Sequence, residues 1–424
     1  MFSRILNTFG TKSLTAVINL LIAILLSQYL GPAGKGVQSL IITTITFILV
    51  FANLVGGATL VYLAPRHEAS RLVIPSYIWT LVTGLVAYGV LWYFPVIDKA
   101  FILHATILAL LNSVASIHIS LLIGKEKIKT ANFIGLVQPL ALIISLGTCF
   151  IFFGKATVES YIQSLYISFS LSLSASIIWF IKYCGPFRFY PLSYYWDLSK
   201  EMVQFGLLNQ VAHVTQMLSF RLSYYVLDHF RGEAAVGVYS NGISLAESIW
   251  LIAKSISLVQ YARIANLQDR QQAAEFTVRL IKAGVVMSLI ILVPLLLLPA
   301  DFFVFLFGKG FEGTRMVILT LSVGVLVYNY SILIGHYFSG TGRYWVNAVT
   351  SSIGLVASIA LYYSLIPLYG QIGAGLATSI SYIITSVIFI IWFAKEYKTW
   401  RLMFLPTGED LLSLRMEVKK IFDK

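Results

Sequence analysis

A stripe of polar side chains runs along one apolar segment in the second half of the chain, residues 203–228. If the segment is a helix, at about 100° per residue, the members of the stripe fall within an arc of about 80°. A guanidinium in such a stripe can bind an anion, and neighbouring amide, imidazole and phenol groups can orient that anion by hydrogen bonds. We therefore expect this face to bind an anionic substrate; the stripe consists of Gly206, Gln210, His213, Met217, Arg221, Tyr224 and Asp228.

A second stripe lies on the next apolar segment, residues 236–262. A charge at the bilayer centre costs at least about 2.5–3.5 kcal/mol, so charged residues there are usually functional. We favour a cavity in which Arg221 and Lys254 bind the substrate and Glu247 serves ion coupling. The structural alternative is that Glu247 and Lys254 form ion pairs, either with each other or with charged residues of a neighbouring helix. The second stripe consists of Ser240, Glu247, Trp250, Lys254 and Tyr261.

The composition of the chain shows what kind of protein carries these stripes. Of 424 residues, 58% are hydrophobic and 11% are charged, and the mean hydropathy is +0.83. Soluble domains carry about 45–50% apolar and about 25% charged residues, so a soluble enzyme of this size is excluded. The 30 Gly and 11 Pro follow no repeat, which excludes collagen. The composition predicts a polytopic membrane protein.

Twelve segments contain the run of about 20 apolar residues that crosses a bilayer. Their short joints contain Gly, Pro or charged residues, as at Gly31-Pro32 and Pro65-Arg66, and suit antiparallel neighbours in an all-α bundle. We expect two six-helix bundles, residues 1–190 and 191–394, followed by a cytoplasmic tail, residues 395–424. The predicted spans are 12–30, 37–63, 76–94, 100–123, 131–153, 160–182, 203–228, 236–262, 279–299, 314–338, 344–365 and 372–394.

The orientation follows from the basic residues of the loops, because Lys and Arg concentrate on the cytoplasmic side. Most of the 30 Lys and Arg residues lie on the side of the N-terminus, which places both termini in the cytoplasm. The net charge of +12 is then explained by topology and by contact with anionic lipid, and we predict no nucleic-acid partner. The opposite loops hold only Lys35, Lys99, Lys155, Arg231, Lys309 and Arg315.

The tail contains a pattern typical of a short amphipathic helix on the membrane surface. Thr407 is a candidate cap, and Leu411, Leu414, Val418 and Ile421 follow at helical spacing among charged residues. A solvated tail helix without a role fits the pattern equally well.

An internal repeat relates the two halves at an offset of 201 positions. Segments 25–48 and 226–249 align so that each begins at the joint before the second helix of a half. Because six helices return the chain to the same side, the halves keep one orientation and are related by an axis along the membrane normal. The matched pairs include Gly31/Gly232, Ala33/Ala234, Gly36/Gly237, Val37/Val238 and Ser39/Ser240.

Patterns of catalytic residues are scarce. Gly31 to Gly36 is glycine-rich but lacks the spacing of a phosphate-binding loop and the Ser or Thr after its lysine. The six histidines are scattered, no metal-binding spacing occurs, and Cys149 and Cys184 should not pair. The predicted outer loops are too short for a catalytic domain. We therefore predict no enzyme activity, no metal and no cofactor.

Acidic residues are missing from the interior of the spans predicted in the N-terminal half. An exporter of cationic drugs driven by protons or sodium would be expected to hold a buried carboxylate there. A cavity of net positive charge instead fits a phosphate or pyrophosphate group. Asn19, Gln28 and Asn53 could line the facing wall, or they could be interhelical hydrogen-bonding groups.

Five motifs in order resemble those of Wzx-type polysaccharide flippases, over residues 1–394. The first is Tyr29-Leu-Gly-Pro-Ala-Gly-Lys-Gly-Val37, and the second runs from Gly237-Val-Tyr-Ser-Asn-Gly-Ile-Ser-Leu-Ala-Glu247 to Ser255-Ile-Ser257. One departure is Gln28, where related sequences often carry Arg. The later motifs are Phe307-Gly-Lys-Gly-Phe311, Gly340-Thr-Gly-Arg343 and Leu365-Ile-Pro-Leu-Tyr-Gly-Gln-Ile-Gly-Ala-Gly375.

The resemblance implies a member of the multidrug/oligosaccharidyl-lipid/polysaccharide exporter superfamily. Such a protein would move undecaprenyl-pyrophosphate-linked oligosaccharides across the bacterial inner membrane by alternating access, coupled to an ion gradient. Arg221 and Lys254 would hold the pyrophosphate, with hydrogen bonds from Gln210, His213 and Tyr224. Membrane lipid and other polysaccharide-assembly proteins would be its partners. Three alternatives stay open: a cation-coupled multidrug antiporter on the same fold, a membrane ligase or polymerase of polysaccharide assembly, and a transport-inactive scaffold that docks glycan-assembly enzymes.

Overall fold

The computed structural model describes residues 2–185, 190–264, 267, 269–397 and 400–404. Every regular element among these residues is helical, with a π-helical turn at Thr148–Phe152 and a 3₁₀ turn at Trp400–Phe404. The predicted tail helix from Thr407 onward lies outside the described residues. The α-helices are α1 Phe2–Ala52, α2 Gly57–Leu63, α3 Ala69–Tyr93, α4 Lys99–Gly124, α5 Ile128–Gly147, α6 Val158–Cys184, α7 Leu192–Arg231, α8 Glu233–Ser248, α9 Trp250–Ile264, α10 Arg270–Leu297, α11 Ala300–Phe307, α12 Thr314–Gly340 and α13 Tyr344–Ala394.

Eight helical stretches of the described chain are long and apolar enough to cross a membrane. Two of them, Gly10–Leu63 and Tyr344–Ala394, each contain two predicted spans, joined across kinks at Gly31 and Gly370. The all-helical, polytopic membrane architecture predicted from the sequence is therefore confirmed. The count of twelve spans and the cytoplasmic position of the termini stay predictions.

The predicted spans 203–228 and 236–262 are not among these eight stretches. The first lies in α7, whose polar stripe lowers its hydropathy. The second is divided at Ile249 into α8 and α9, and each piece is too short to cross a bilayer alone. The segments with the candidate site residues are thus the ones that depart from an ordinary lipid-embedded helix.

The chain divides into two compact units. The first consists of Met1–Met217, Gly232–Val238 and Val304–Phe311. The second unit contains the other segments, Leu218–Arg231, Tyr239–Phe303 and Glu312–Lys424. The single helix α7 contributes to both, because its first part ends with Met217 in the first unit. The predicted bundles, residues 1–190 and 191–394, and the separate tail stay predictions.

The core of the first unit lies between α2, α3, α4, α6 and α7, with Leu60, Leu72 and Leu121 fully buried. His118 is also buried, and its ring nitrogens contact the Ser176 hydroxyl at 2.8 Å and the Tyr77 hydroxyl. Both nitrogens are therefore engaged in holding α3, α4 and α6 together. This arrangement gives His118 a structural role.

The second unit is built around α9, α10, α12 and α13, whose shared core includes Ile281, Leu333 and Phe393. The close approach of α12 and α13 depends on small residues, since the Gly324 amide donates to the Ser379 hydroxyl at 2.9 Å. Small and hydroxyl-bearing residues are typical of helix contacts in membranes, because they let backbones approach and hydrogen-bond.

The two copies of the predicted repeat share an unusual backbone conformation and contact each other within the first unit. Gly31 and Gly232, paired by the repeat, have left-handed φ values of 65° and 76°. A Cβ atom at Gly36 would overlap the Glu233 carbonyl oxygen, and one at Gly237 would overlap the Pro32 carbonyl oxygen. Pro32 and Glu233 are themselves an aligned pair, so the contact is reciprocal. Reciprocal contacts of this kind arise around a local two-fold axis.

Candidate substrate site

Arg221 on α7 and Glu247 near the end of α8 form a bidentate ion pair in the second unit. The Arg221 Nη2 lies 2.7 Å from Glu247 Oε2, and Nη1 donates to Oε1 at 3.3 Å. Their side chains are 23% and 11% exposed, so the pair is partly shielded from water. Two parallel bonds between a guanidinium and a carboxylate are stronger and more directional than a single contact. Glu247 is thus paired with Arg221, in line with the structural alternative of a neighbouring-helix partner.

A tyrosine from α13 completes the environment of this carboxylate. The Tyr382 hydroxyl donates to Glu247 Oε1 at 2.7 Å. On the guanidinium side, the Arg221 Cζ lies 5.6 Å from the ring centroid of Tyr224, which is 4% exposed. A cation within about 6 Å of an aromatic face is stabilised by the ring quadrupole. The structure therefore brings together three of the candidate residues, Arg221, Tyr224 and Glu247, and adds Tyr382.

Four aromatic rings form a rigid support behind the ion pair. Phe220, Trp250, Tyr328 and Tyr382 contact one another in every combination, with centroid distances from 4.7 to 5.6 Å. The Trp250 indole also donates to the Val325 carbonyl at 2.8 Å, which fixes α9 against α12. Interlocked rings of this type resist rotamer changes, so Tyr382 is held in place to bond Glu247.

The helix that carries Glu247 is interrupted two residues later. α8 ends at Ser248 and α9 begins at Trp250, and the Ile249 amide reaches only the Ala246 carbonyl, at 3.4 Å. Irregular backbone inside a membrane protein is tolerated where it is buried in protein or lines a cavity, and transporter sites are commonly built at such breaks. The position of the break beside Glu247 therefore marks this part of the second unit as a candidate site.

Lys254 follows the break on α9 and is exposed. Its Nζ lies 5.7 Å from the Trp250 ring centroid, within the range of a cation–π interaction. The Lys254 ammonium is accessible on α9, the helix that follows the break after Glu247, and this position suits a role in contacting an anion.

Gln210 and His213 belong to the first unit, on the earlier part of α7. His213 is exposed. The Gln210 amide donates to the Val50 carbonyl, beside the interruption between α1 and α2. Gln210 therefore has a structural bond that the stripe on α7 did not indicate.

The interruption at residues 53–56 breaks the regular helical hydrogen bonding, and side chains donate to four backbone carbonyl groups beside it. Gln210 bonds one such carbonyl, and the others are reached from α2 and α3. An unsatisfied carbonyl in a membrane costs several kcal/mol, so these bonds make the break tolerable. The bonds are Gln210 to Val50, Trp79 to Phe51 at 3.1 Å, Thr59 to Leu54 at 3.3 Å, and Ser76 to Val55 at 3.1 Å.

Among the described residues, no group of three or more His, Cys, Asp and Glu side chains could hold a metal ion. A guanidinium, an ammonium, a carboxylate and phenol hydroxyls can bind and release an anion and can exchange partners in doing so.

No protein-family profile matches the chain. A curated relative is the "Capsular polysaccharide biosynthesis protein CapF" of Staphylococcus aureus, 26% identical over 175 residues. The matched stretch is 41% of this chain and 44% of that protein, so it spans less than half of the relative's length.

Solved structures of membrane transporters share the fold over almost the whole chain. An inward-facing MATE multidrug transporter of the MOP superfamily is 15% identical, with a TM-score of 0.71, covering 91% of this chain and 95% of its own. The lipid II flippase MurJ is 16% identical, with a TM-score of 0.68, covering 97% and 96%. A MOP superfamily transporter from Pyrococcus furiosus is 14% identical, with a TM-score of 0.64, covering 94% and 95%. The chain thus shares the fold of these solved structures.

Proposed function

We propose that this chain is a Wzx-type flippase that moves undecaprenyl-pyrophosphate-linked oligosaccharide units across the bacterial inner membrane. The observation that carries the proposal is the Arg221–Glu247 pair beside the helix break, with Lys254 exposed on the following helix. Buried or half-buried charges in a membrane are costly and mark substrate or ion pathways. The fold shared with a lipid II flippase and the similarity to a capsular polysaccharide biosynthesis protein both support a lipid-linked glycan as substrate.

The pyrophosphate binds by exchange at Arg221. A guanidinium bonds a carboxylate and a phosphate with the same bidentate geometry, so a phosphate oxygen pair can replace the Glu247 carboxylate. Lys254 supplies the second positive charge, and the Tyr224 ring keeps the guanidinium in position. The polar stripe on α7 also predicts hydrogen bonds to the substrate from Gln210 and His213.

Glu247 couples this exchange to an ion. While it is bonded to Arg221 and Tyr382, its charge is compensated. Once the substrate has taken over Arg221, the released carboxylate is available to bind a proton. Return of Glu247 to Arg221 after the proton leaves then expels the pyrophosphate. Alternating access links these two states across the membrane.

The decisive experiment is depletion of the protein in its host, followed by extraction of lipid-linked oligosaccharides. We expect complete units to accumulate, protected from glycosidases added outside the cytoplasmic membrane. A lack of accumulation combined with increased sensitivity to cationic dyes would instead identify a multidrug antiporter. Accumulation of incomplete or unpolymerised glycan on the outer face would identify a ligase or polymerase.

A variant at Lys254, the exposed cation, then tests the site itself. Lys254→Ala should abolish export of the glycan while the protein remains inserted in the membrane, because the site loses one of the two cations that bind the pyrophosphate. Lys155→Ala is the matched control, since Lys155 is also an exposed lysine but lies in the joint between α5 and α6. Full export by Lys254→Ala, or equal loss in both variants, would contradict the assignment.

A further inference from the structure

Two exposed aromatic rings and a guanidinium form a compact surface in the first unit, away from the ion pair. Tyr62 on α2 and Phe205 on α7 have ring centroids 4.7 Å apart, and they are 44% and 43% exposed. The Arg66 Cζ lies 3.8 Å from the Tyr62 ring centroid, and its Nη1 donates to the Tyr62 carbonyl at 2.5 Å. We call these three residues the aromatic platform.

The platform is rigid because its supporting backbone is fixed. On the other side of α2, Leu60 and Leu63 are fully buried in the core of the first unit. On α7, a Cβ atom at Gly206 would overlap the Leu54 carbonyl oxygen, so the residue next to Phe205 lies directly against the end of the α1–α2 break. Rings that are preorganised in this way bind a ligand without the entropy cost of ordering flexible side chains.

Tyr62 lies at the end of the apolar stretch Gly10–Leu63, and polar residues adjoin the platform from α7. Exposed aromatic residues of membrane proteins often lie at the lipid headgroups. Here, however, Phe205 lies on α7, which is not among the helices apolar enough to span a membrane, and its neighbour Gln204 is exposed. The Nε2 atom of His67, next to Arg66 in the chain, lies 3.4 Å from a carboxylate oxygen of Glu201 on α7. A polar, aromatic and cationic surface suits a hydrated ligand better than it suits acyl chains.

A pyranose ring has the chemistry that such a surface recognises. One face of the sugar presents C–H groups, which pack against the negative face of an aromatic ring, while its edge carries hydroxyl or carboxylate groups. A guanidinium beside the ring can donate two hydrogen bonds to that edge. We infer that the aromatic platform binds a pyranose of the translocated oligosaccharide, with Tyr62 and Phe205 stacking on the sugar and Arg66 bonding its polar edge. The inference rests on the proposed function, since it assigns a second subsite to the same substrate.

The test is saturation-transfer NMR on the purified full-length protein in detergent. The probe is the host's own oligosaccharide unit, released from its lipid carrier by mild acid. We expect saturation transfer to the ring C–H protons of one sugar, reduced about five-fold in Tyr62→Ala and Phe205→Ala because each removes one stacking face. Tyr62→Phe should retain the signal, since stacking does not require the hydroxyl group.

A second cation–aromatic group in the same unit supplies the control. Tyr88 and Trp92 at the opposite end of α3 stack at 6.0 Å, and Lys99 lies 5.4 Å from the Trp92 ring centroid. Trp92 is 50% exposed, as accessible as Tyr62. Trp92→Ala should leave the signal unchanged. All variants are compared at equal melting temperature and elution volume, so that a loss of folding is not counted as a loss of binding.

The outcomes separate this inference from the proposed function. If the wild type transfers no saturation to the sugar, or if both alanine variants keep the wild-type signal, the platform does not bind sugar. Saturation transfer to glycerol phosphate, with none to the oligosaccharide, would assign the platform to a lipid headgroup and overturn the inference. Glycan accumulation on depletion would leave the flippase proposal standing in each of these cases. A platform-dependent sugar signal without accumulation would support the subsite and overturn the flippase.

Discussion

At the scale of single residues, Arg221 and Glu247 are the pair on which both stability and transport should depend. Arg221→Ala leaves the Glu247 carboxylate without its bidentate partner. We expect a loss in the free energy of unfolding of about 2 kcal/mol, less than the about 3–5 kcal/mol of a fully buried pair because both side chains are partly exposed. The double variant Arg221→Ala/Glu247→Ala should recover part of this loss, because the uncompensated charge is gone. The measurement is a melting curve in detergent for each corner of this cycle.

The same variants distinguish a structural ion pair from a functional one. If the pair only stabilises the fold, the double variant should regain glycan export as it regains stability. We expect export to stay lost in the double variant, since both the pyrophosphate cation and the coupling carboxylate are missing. Normal export by a restored double variant would show that the ion pair is structural.

Helical periodicity identified Arg221, Tyr224 and Glu247, but it could not give their partners. A stripe shows which residues share one face of a helix, not which helix faces it. The stripe offered Lys254 as one alternative partner of Glu247, because both lie on one face. In the structure the carboxylate bonds Arg221 on α7 and Tyr382, 135 positions away in the chain. A tyrosine inside an apolar span carries no pattern that would mark it as a hydrogen-bond donor to this carboxylate.

At the scale of elements, the break between α1 and α2 depends on side chains that bond its carbonyl groups. Trp79 donates to the Phe51 carbonyl at 3.1 Å, and Gln210 donates to the Val50 carbonyl. Gln210→Leu should lower the free energy of unfolding by about 1–2 kcal/mol, because the Val50 carbonyl loses this side-chain donor. Trp79→Phe should cost less, about 0.5–1 kcal/mol, because the Phe51 carbonyl still accepts from the Leu54 amide at 3.2 Å. Export per folded molecule should be unaffected in Trp79→Phe. Thermal unfolding and export, both normalised to folded protein, measure the two quantities.

Gln210 then tests two roles at once. A loss of export in Gln210→Leu that exceeds its loss of folded protein would show that the amide also contacts substrate, as the stripe on α7 indicates. Equal losses would leave Gln210 with a structural bond alone and would remove it from the proposed site.

The reciprocal contact between the repeat copies makes a symmetric prediction. Gly36→Ala and Gly237→Ala each place a Cβ atom on a backbone carbonyl of the other copy. We expect both to destabilise by a similar amount, about 1–3 kcal/mol, because backbone cannot yield as a flexible side chain can. Gly89→Ala is the matched control, since its Cβ would meet no atom within 4 Å. Melting curves in detergent compare the three; a large effect at only one of the two repeat positions would contradict the symmetry.

The sequence located the joints at Gly31 and near Pro367 but missed the break at Ile249. Glycine and proline mark the kinks because they permit a left-handed φ, as at Gly31 and Gly370, or remove an amide donor. Around Ile249 the chain holds neither glycine nor proline, and the interruption is stabilised by tertiary contacts such as the Trp250 indole bond to Val325. Contacts of that kind are invisible to a local pattern.

At the scale of the whole molecule, composition and apolar run length were sufficient for the all-helical membrane architecture, because only helices satisfy so long an apolar backbone in lipid. Run length was less reliable for the count of spans. The segments with the candidate site, in α7, α8 and α9, are too polar or too interrupted to qualify by hydropathy alone. A functional site in a membrane protein requires the polar residues and irregular backbone that weaken this signal.

The distribution of Lys and Arg predicts the orientation of the protein in the membrane, and thiol labelling can test that prediction. Cys149 and Cys184 are free, so both are first replaced by serine. Lys155→Cys and Lys125→Cys then introduce single thiols at two exposed positions, one on each predicted side. Because Lys and Arg concentrate on the cytoplasmic side, a membrane-impermeant maleimide should label Lys155→Cys in intact cells, and should label Lys125→Cys only after permeabilisation. The reverse pattern would place the termini outside, and the Arg221–Glu247 site would then have to be loaded from the opposite side.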